Sequence, residues 1–302
     1  MSDIKLFSIK SGKAFEIQGS ASALEKSLQD LIERNLDAML GIRFLETEYS
    51  TGKQHGGRID TLGLDENGCP VIIEYKRATN ENVVTQGLFY LDWLMDHQAE
   101  FKLLVMEKLG AKISEGIDWS APRLVCIAGG FNKYDEHAVK QMNRNIELIR
   151  YMKFGNDLLL LELVNSASVE SNVSSKPAKG SPSSYKTISE TFAHLKGPLR
   201  DLYEELRAHL LALGDDAQEK TLKYYFAYKR IRNFACVEVL IKKKCLLAFL
   251  KLDPDTMTME SGFSRDVRKI GHYGTGDVEL TIRSRGDLEK AKPLFQKSYD
   301  SS

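Results

Sequence analysis

The spacing of apolar residues changes along the chain, and each change marks an element. In "SALEKSLQDLIERNLDAML", Leu24, Leu28, Leu31, Ile32, Leu36 and Leu40 recur every three or four residues, the period of one helix face. Before it, "LFSIKSGKAFEI" reads as a short hairpin turning over Ser11-Gly12-Lys13. Further on, "ENVVTQGLFYLDWLMDHQAEFKLLVMEKLG" has helical spacing again, and "PRLVCIAGGF" is a continuous apolar run ending in glycines, the mark of a buried strand. "DEHAVKQMNRNIELIRYM" reads as a helix with Ile146 and Ile149 on one face, and "DLLLLELV" as a closing strand. Strands alternating with helices in this way predict an α/β domain with a mixed central sheet flanked by helices.

The pattern then stops. "NSASVESNVSSKPAKGSPSS", residues 165–184, is rich in Ser with Pro and Gly and nearly free of bulky apolar side chains. Such a composition cannot offset the entropy of ordering, so it reads as a linker between a first domain, 1–164, and a second, 185–302. The second domain opens with "YKTISETFAHLKGPLRDLYEELRAHLLALG", helical apart from a break at Gly197-Pro198. "LKYYFAYKR", "NFACVEVLI", "CLLAFLKL" and "DVELTIRS" follow as strands, and "GDLEKAKPLFQKSY" as a helix capped by Gly286-Asp287. This second, smaller domain is α+β.

One stretch breaks the division of apolar inside and polar outside. "GRIDTLGLDENGCPVIIEYKR" sets Asp60, Glu74 and Lys76 into runs that otherwise belong in a core. Register decides whether they meet. A two-residue turn at Asn67-Gly68 pairs Glu66 with Cys69 and sets Asp60 opposite Tyr75, away from Glu74. A three-residue loop, Glu66-Asn67-Gly68 with Gly68 left-handed, pairs Asp60 with Glu74, as a bulge also would. The second register is the expected one. Asp60, Glu74 and Lys76 then share a face, and two neighbouring carboxylates call for a divalent cation with oxygen ligands. Lys76 beside it would align an attacking water or offset charge on a phosphate. By itself Glu-x-Lys says little; a cross-strand ion pair would use the same residues. The β-branched run before Glu74 argues for a strand buried on both faces, where acids are costly.

Asp60, the hairpin, Glu74-x-Lys76 and then Gln86-x-x-x-Tyr90 on the following helix resemble the PD-(D/E)XK nuclease superfamily, in its archaeal mismatch-endonuclease and RecB-like branches. The resemblance covers roughly residues 20–130. It implies a restriction-endonuclease-like fold, metal ligation by Asp60, Glu74 and the Tyr75 carbonyl, and Lys76 as the catalytic lysine. It also implies Gln86 and Tyr90 as a supporting pair and a first-helix glutamate completing the site, Glu25 in preference to Glu33. Ile59 stands where the superfamily's name has a proline. The implied activity is Mg2+-dependent hydrolysis of phosphodiesters, with Mn2+ as a substitute and DNA rather than RNA as substrate. The alternative is a non-cleaving module that binds nucleic acid or protein on the same scaffold. Over nearly its whole length the chain also resembles uncharacterised bacterial proteins that pair this module with a C-terminal domain of unknown function.

Composition adds bounds. The 302 residues are 42% hydrophobic and 28% charged, with equal numbers of acidic and basic side chains. No apolar run reaches the ~18 residues of a membrane span and no secretory h-region opens the chain, which gives a cytoplasmic reading with no membrane partner. The four cysteines form no C-x-x-C pair and read as buried thiols. His55 reads as a loop residue, Trp93 and His97 as an aromatic edge, and Arg58 and Arg77 as cations flanking the site. In the second domain, nine Lys or Arg and a single acid, Glu238, lie between Lys220 and Lys251, interleaved with Tyr224, Tyr225, Phe226, Tyr228 and Phe234. That stretch is either a nucleic-acid surface or a β-meander with an aromatic core. "GHYGTGD", Gly271 to Asp277, matches no phosphate-loop fingerprint and reads as a loop. This domain would bind substrate or a partner, or help to form a homodimer.

Overall fold

A computed structural model describes residues 4–21, 25–76, 83–167, 187–193 and 195–302. The chain forms two compact units, residues 1–169 and 170–302. In chain order the first contains β1 (Leu6–Lys10), β2 (Lys13–Ile17), β3 (Gly19–Ser20), α1 (Glu25–Arg34), α2 (Leu36–Leu40), β4 (Ile42–Ser50), α3 (Gly52–His55), β5 (Arg58–Asp65) and β6 (Pro70–Lys76). It continues with α4 (Val83–Asp96), α5 (Gln98–Leu109), α6 (Ala111–Glu115), β7 (Arg123–Ala128), α7 (Lys133–Gln141), β8 (Asn145–Phe154) and β9 (Leu158–Ala167).

The sheet runs β3-β8-β7-β6-β5-β4, with β9 also paired to β8. β6, β7 and β8 are parallel, whereas β4, β5 and β6 are antiparallel, so the sheet is mixed as the pattern predicts. The "VIIEY" and "LVCIA" runs are buried along their whole length, as central strands of a parallel stretch should be. α4 packs on β6 and β7, and α1 on β5 and β6. Gly87 lets α4 close on β7: a Cβ there would meet the Leu124 side chain. Leu62, Leu64, Ile72, Leu91, Leu94, Leu124 and Leu148 make the core on the α4 side.

Three expectations for this unit change. The segment read as one helix over "DEHAVKQMNRNIELIRYM" is helix only to Gln141; from Asn145 it is β8, nearly all buried. Ile146 and Ile149 suit helical spacing, but a parallel strand covered on both faces also presents apolar residues at every step, and tertiary burial decides. The long helix after the hairpin breaks at His97 into α4 and α5. β9 continues through Asn165 and Ser166, which the composition assigned to the linker; the rest of that segment, from 168, lies outside the described residues.

The second unit contains α8 (Ile188–Ala193), α9 (Pro198–Leu211), β10 (Gln218–Thr221), β11 (Phe226–Lys229), β12 (Asn233–Leu240), β13 (Cys245–Leu250), β14 (Ser264–Asp266), β15 (Val278–Ile282) and α10 (Arg285–Asp300). Its antiparallel sheet runs β10-β11-β12-β13-β15-β14. One face packs Phe226, Tyr228, Phe234, Val237, Leu246 and Leu280 against Leu206, Leu210, Leu288 and Phe295 of the helices. "LKYYFAYKR" is not one strand: β10 ends at Thr221 and β11 begins at Phe226. α10 is capped by Ser284, not by Gly286-Asp287; the Ser284 side chain accepts from the Asp287 N–H, and the Asp287 carboxylate accepts in return from the Ser284 N–H. The Gly271–Asp277 loop lies down on the open sheet face, where His272 stacks on Phe249 with ring centres 4.3 Å apart. All four cysteines are buried and free, and no helix among the described residues is long and apolar enough to cross a membrane.

Candidate functional site

The hairpin adopts the three-residue loop. Asp65 N donates to Cys69 O at 2.9 Å, and Gly68 is left-handed at φ +79. Gly68 is required twice over, since a Cβ there would also lie 3.0 Å from the Gly116 carbonyl. The Asp65 carboxylate holds the bend: Oδ1 accepts from Asn67 N at 2.9 Å and Cys69 N at 2.8 Å, and Oδ2 from Arg123 Nη1 at 3.0 Å. Arg123 in turn donates to Glu147 from Nε at 3.0 Å and Nη2 at 2.7 Å, all three residues being buried.

From that bend the ladder runs Leu64 with Pro70, Gly63 with Val71, Leu62 with Ile72 and Thr61 with Ile73. One step further, Asp60 faces Glu74, and here carboxylates take over from the ladder. Tyr75 N donates to Asp60 Oδ2 at 3.0 Å, and Asp60 N donates to Glu74 Oε1 at 3.3 Å. Each acid is clamped by the backbone of the other strand.

Glu74 is fully buried, and its Oε2 has no hydrogen-bond partner among the described residues. Burial, and then the neighbouring Asp60 charge, push its pKa up to about 9, against the pull of the Asp60 N–H and the Lys76 ammonium. A buried oxygen without a partner beside a second carboxylate is what a hard divalent cation would satisfy. Among the described residues no group of three or more His, Cys, Asp or Glu is assembled. Two carboxylates with a backbone carbonyl nevertheless suit Mg2+, which keeps much of its water.

Asp60 and Lys76 open onto a cleft of about 750 Å3 that is also lined by Lys53, Arg58, Gln86 and Tyr90. Gln86 Nε2 donates to the Tyr90 hydroxyl at 3.3 Å, and that hydroxyl accepts from Arg58 N at 3.2 Å. Gly57 makes the approach: a Cβ there would stand 2.5 Å from the Tyr90 ring. Thr51 Oγ1 closes the loop by donating to Gly57 O at 3.0 Å and accepting from Gly57 N at 2.9 Å. Gln86 and Tyr90 therefore fix where β5 begins, two residues before Asp60.

Glu25 opens α1, and its side chain lies outside the described residues, as does all of Arg77. Glu33 turns to Thr61, whose Oγ1 donates to it at 2.6 Å, on the face shared with the Tyr75 ring. Sequence reasoning passed over Gln29, one turn earlier, whose Nε2 donates to Asp60 O at 2.7 Å and ties α1 to the acid-bearing strand. It also passed over Asp65, Arg123 and Glu147; the signal was an Arg beginning an otherwise apolar buried strand. Arg58 is paired with Glu48 at 2.6 Å. His55 packs between Phe89 and His97, and His97 stacks on Trp93 with its Nδ1 2.8 Å from Trp93 O, an aromatic edge as the spacing suggested.

Residues 188–302 match a family described as a domain of unknown function, DUF5655. Over 304 aligned positions the chain is 31% identical to an uncharacterized protein of Haemophilus influenzae, covering 98% of this chain and 99% of that one. The chain belongs to the same family as that protein. Two solved structures are also similar in part: a repair endonuclease from Pyrococcus abyssi, at 20% identity and a TM-score of 0.29, and an EndoMS–dsDNA complex, at 20% and 0.25. They share 43% and 42% of this chain, which spans under half of each, 47% and 46%. At those scores neither match bears on what this chain does.

Proposed function

We propose that the first unit is a metal-dependent nuclease of the PD-(D/E)XK type that hydrolyses phosphodiester bonds of DNA, with Mg2+ as its cation and Mn2+ as a substitute. The observation that carries this reading is Asp60 set opposite Glu74, each clamped by the other's strand, with Glu74 Oε2 buried and unpartnered. Asp60, Glu74 and the Tyr75 carbonyl would hold the cation, which when bound withdraws charge from a phosphoryl oxygen. Lys76, on the same face of β6 as Glu74, holds the attacking water in line and offsets charge as it builds on the phosphate. Gln86 and Tyr90 keep the start of β5 in place, and Glu25 serves as the first-helix carboxylate. Lys53 at the rim of the cleft supplies positive charge for the nucleic-acid backbone, whereas Arg58 beside it is held by Glu48.

The test incubates purified protein and Mg2+ or Mn2+ with plasmid, single-stranded DNA, flap substrates and RNA, beside Asp60→Ala and Lys76→Ala. The reading expects metal-dependent DNA cleavage that falls by about 100-fold or more in each variant. Cleavage that survives both substitutions overturns the site. Tight binding with no cleavage under any metal replaces the enzyme with a binding module.

A further inference from the structure

The second unit holds a cluster of cations that the candidate nuclease site does not use. Between Lys220 and Lys251 the sequence interleaves rings and cations, and the structure separates most of them: Tyr225, Phe226, Tyr228 and Phe234 are buried, whereas Tyr224 stays half-buried against Tyr273 with Lys223 over its ring. A base-stacking platform cannot be built from rings inside a core. The cations divide too, since Arg230 is paired with Asp216 at 2.7 Å whereas Lys242, Lys243 and Lys244 are exposed.

Those three lysines fill the bend between β12 and β13, where Leu240 pairs with Cys245 and Lys244 is left-handed at φ +52. Across β13, Leu246 pairs with Ile282, so Arg283 leaves β15 beside the same bend. A groove of about 470 Å3 runs there, lined by Lys243, Cys245, Arg265, Glu279 and Arg283 among others. Burial raises the Cys245 thiol pKa, and Arg283 and then Lys243 pull it back, as two cations converging on the groove floor should.

The nearby acids are already committed. Glu279 receives both arms of Arg265 at 2.7 Å, and Asp287 accepts from Arg283 N and Ser284 N at the cap of α10. Lys242, Lys243, Lys244 and Arg283 have no ion pair among the described residues; Arg283 Nη1 donates to Gly262 O at 2.7 Å. The N-terminus of α10 opens one residue later and adds its partial positive charge to the same end of the sheet.

We infer that this end of the second unit is a phosphate-binding edge that grips a nucleic-acid backbone without reading bases. The inference rests on the nuclease reading of the first unit for its choice of polyanion. Lysine supplies three of the four exposed cations and is depleted at protein–protein interfaces, which favours a phosphate backbone over an acidic protein. The one ring among the groove's lining residues, Phe263, is buried, so the grip is electrostatic, independent of sequence and sensitive to salt.

The experiment uses the full chain in EDTA, so that binding is read without cleavage, with fluorescein-labelled duplex and single-stranded oligonucleotides of two unrelated sequences. Anisotropy titrations from 50 to 200 mM KCl compare wild type with Lys242→Gln/Lys243→Gln/Arg283→Gln. A charge-matched control, Lys269→Gln/Lys290→Gln/Lys297→Gln, removes three cations elsewhere in the unit, and circular dichroism confirms that each variant is folded. For duplex DNA the groove variant should lower the slope of log affinity against log salt by roughly 2 to 3, at ~0.9 for each phosphate no longer neutralised, and weaken binding about tenfold or more. Both sequences should respond alike, and the control should change the slope by less than about 1. An unchanged slope, or an equal fall in the control, overturns the inference while leaving the nuclease reading standing. So does loss of binding to an acidic polypeptide such as polyglutamate with nucleic-acid affinity intact. A wild-type chain that binds neither oligonucleotide overturns the inference, while the nuclease reading stands or falls with the cleavage assay in Mg2+ or Mn2+.

Discussion

Replacing Arg123 with Met should cost the first unit more stability than any surface change. The guanidinium makes three hydrogen bonds of 3.0, 3.0 and 2.7 Å to Asp65 and Glu147, and both carboxylates are nearly inaccessible to water. Methionine fills similar volume, so the loss is chiefly electrostatic, two buried acids stranded beside each other. Breaking a buried pair from one side costs about 3–5 kcal/mol, a large share of a domain's stability. The assay is urea unfolding followed by tryptophan fluorescence, because both tryptophans, Trp93 and Trp119, lie in the first unit and report on it alone. With a slope of ~2 kcal/mol/M, the midpoint should fall by about 1.5–2.5 M. Neutralising the stranded acids as well, in Arg123→Met/Asp65→Asn/Glu147→Gln, should recover most of that fall, since the amide oxygen that replaces the Asp65 carboxylate can still accept from Asn67 N and Cys69 N. A shift under about 0.5 M, or no recovery in the triple variant, would refute the claim that charge stranding holds this bend.

Three further outcomes follow from the geometry. Gly68→Ala should destabilise the first unit by about 1–3 kcal/mol in the same assay, because Gly68 is left-handed and abuts the Gly116 carbonyl. Glu74→Gln should change thermal stability little at pH 7 without metal, since Glu74 with its pKa near 9 holds its proton there; Mn2+ should raise the melting temperature of the wild type and leave that of Glu74→Gln unchanged. Glu238 has its pKa raised to about 7, first by burial and also by Glu279, with the Tyr273 N–H opposing. The folded second unit therefore keeps a proton that the unfolded chain loses near its ordinary value of 4.5, so stability should fall as pH rises from about 4.5 to 7. Glu238→Gln should flatten that dependence in calorimetric melts.

How much of this was legible in the sequence varies with the kind of signal. The mixed sheet was, because Val71–Ile73 and Leu124–Ala128 are apolar runs that only a strand covered on both faces would carry. The hairpin register was also legible, since Gly after Glu-Asn allows the left-handed residue that the three-residue loop needs. β8 was not: "NIELIRYM" suits helix and strand equally, and only its place beside β7 decides. The support of the candidate site was hidden for a similar reason. Gln29, Asp65, Arg123 and Glu147 are scattered along the chain and acquire meaning only when β5, β7, β8 and α1 meet. In the second unit, aromatic residues next to lysines fitted a surface and a β-meander core equally; the fold sends four of the five rings inward and leaves the lysines at a bend.

The central claim is that Asp60 and Glu74 share one divalent cation, and the most direct measurement is the anomalous signal of Mn2+ in crystals of the full chain. The account predicts one peak at that pair, within about 2–2.5 Å of an oxygen from each carboxylate, and its loss in Glu74→Gln. A map at saturating Mn2+ with no peak between Asp60 and Glu74, or a peak there that survives Glu74→Gln unchanged, would contradict it.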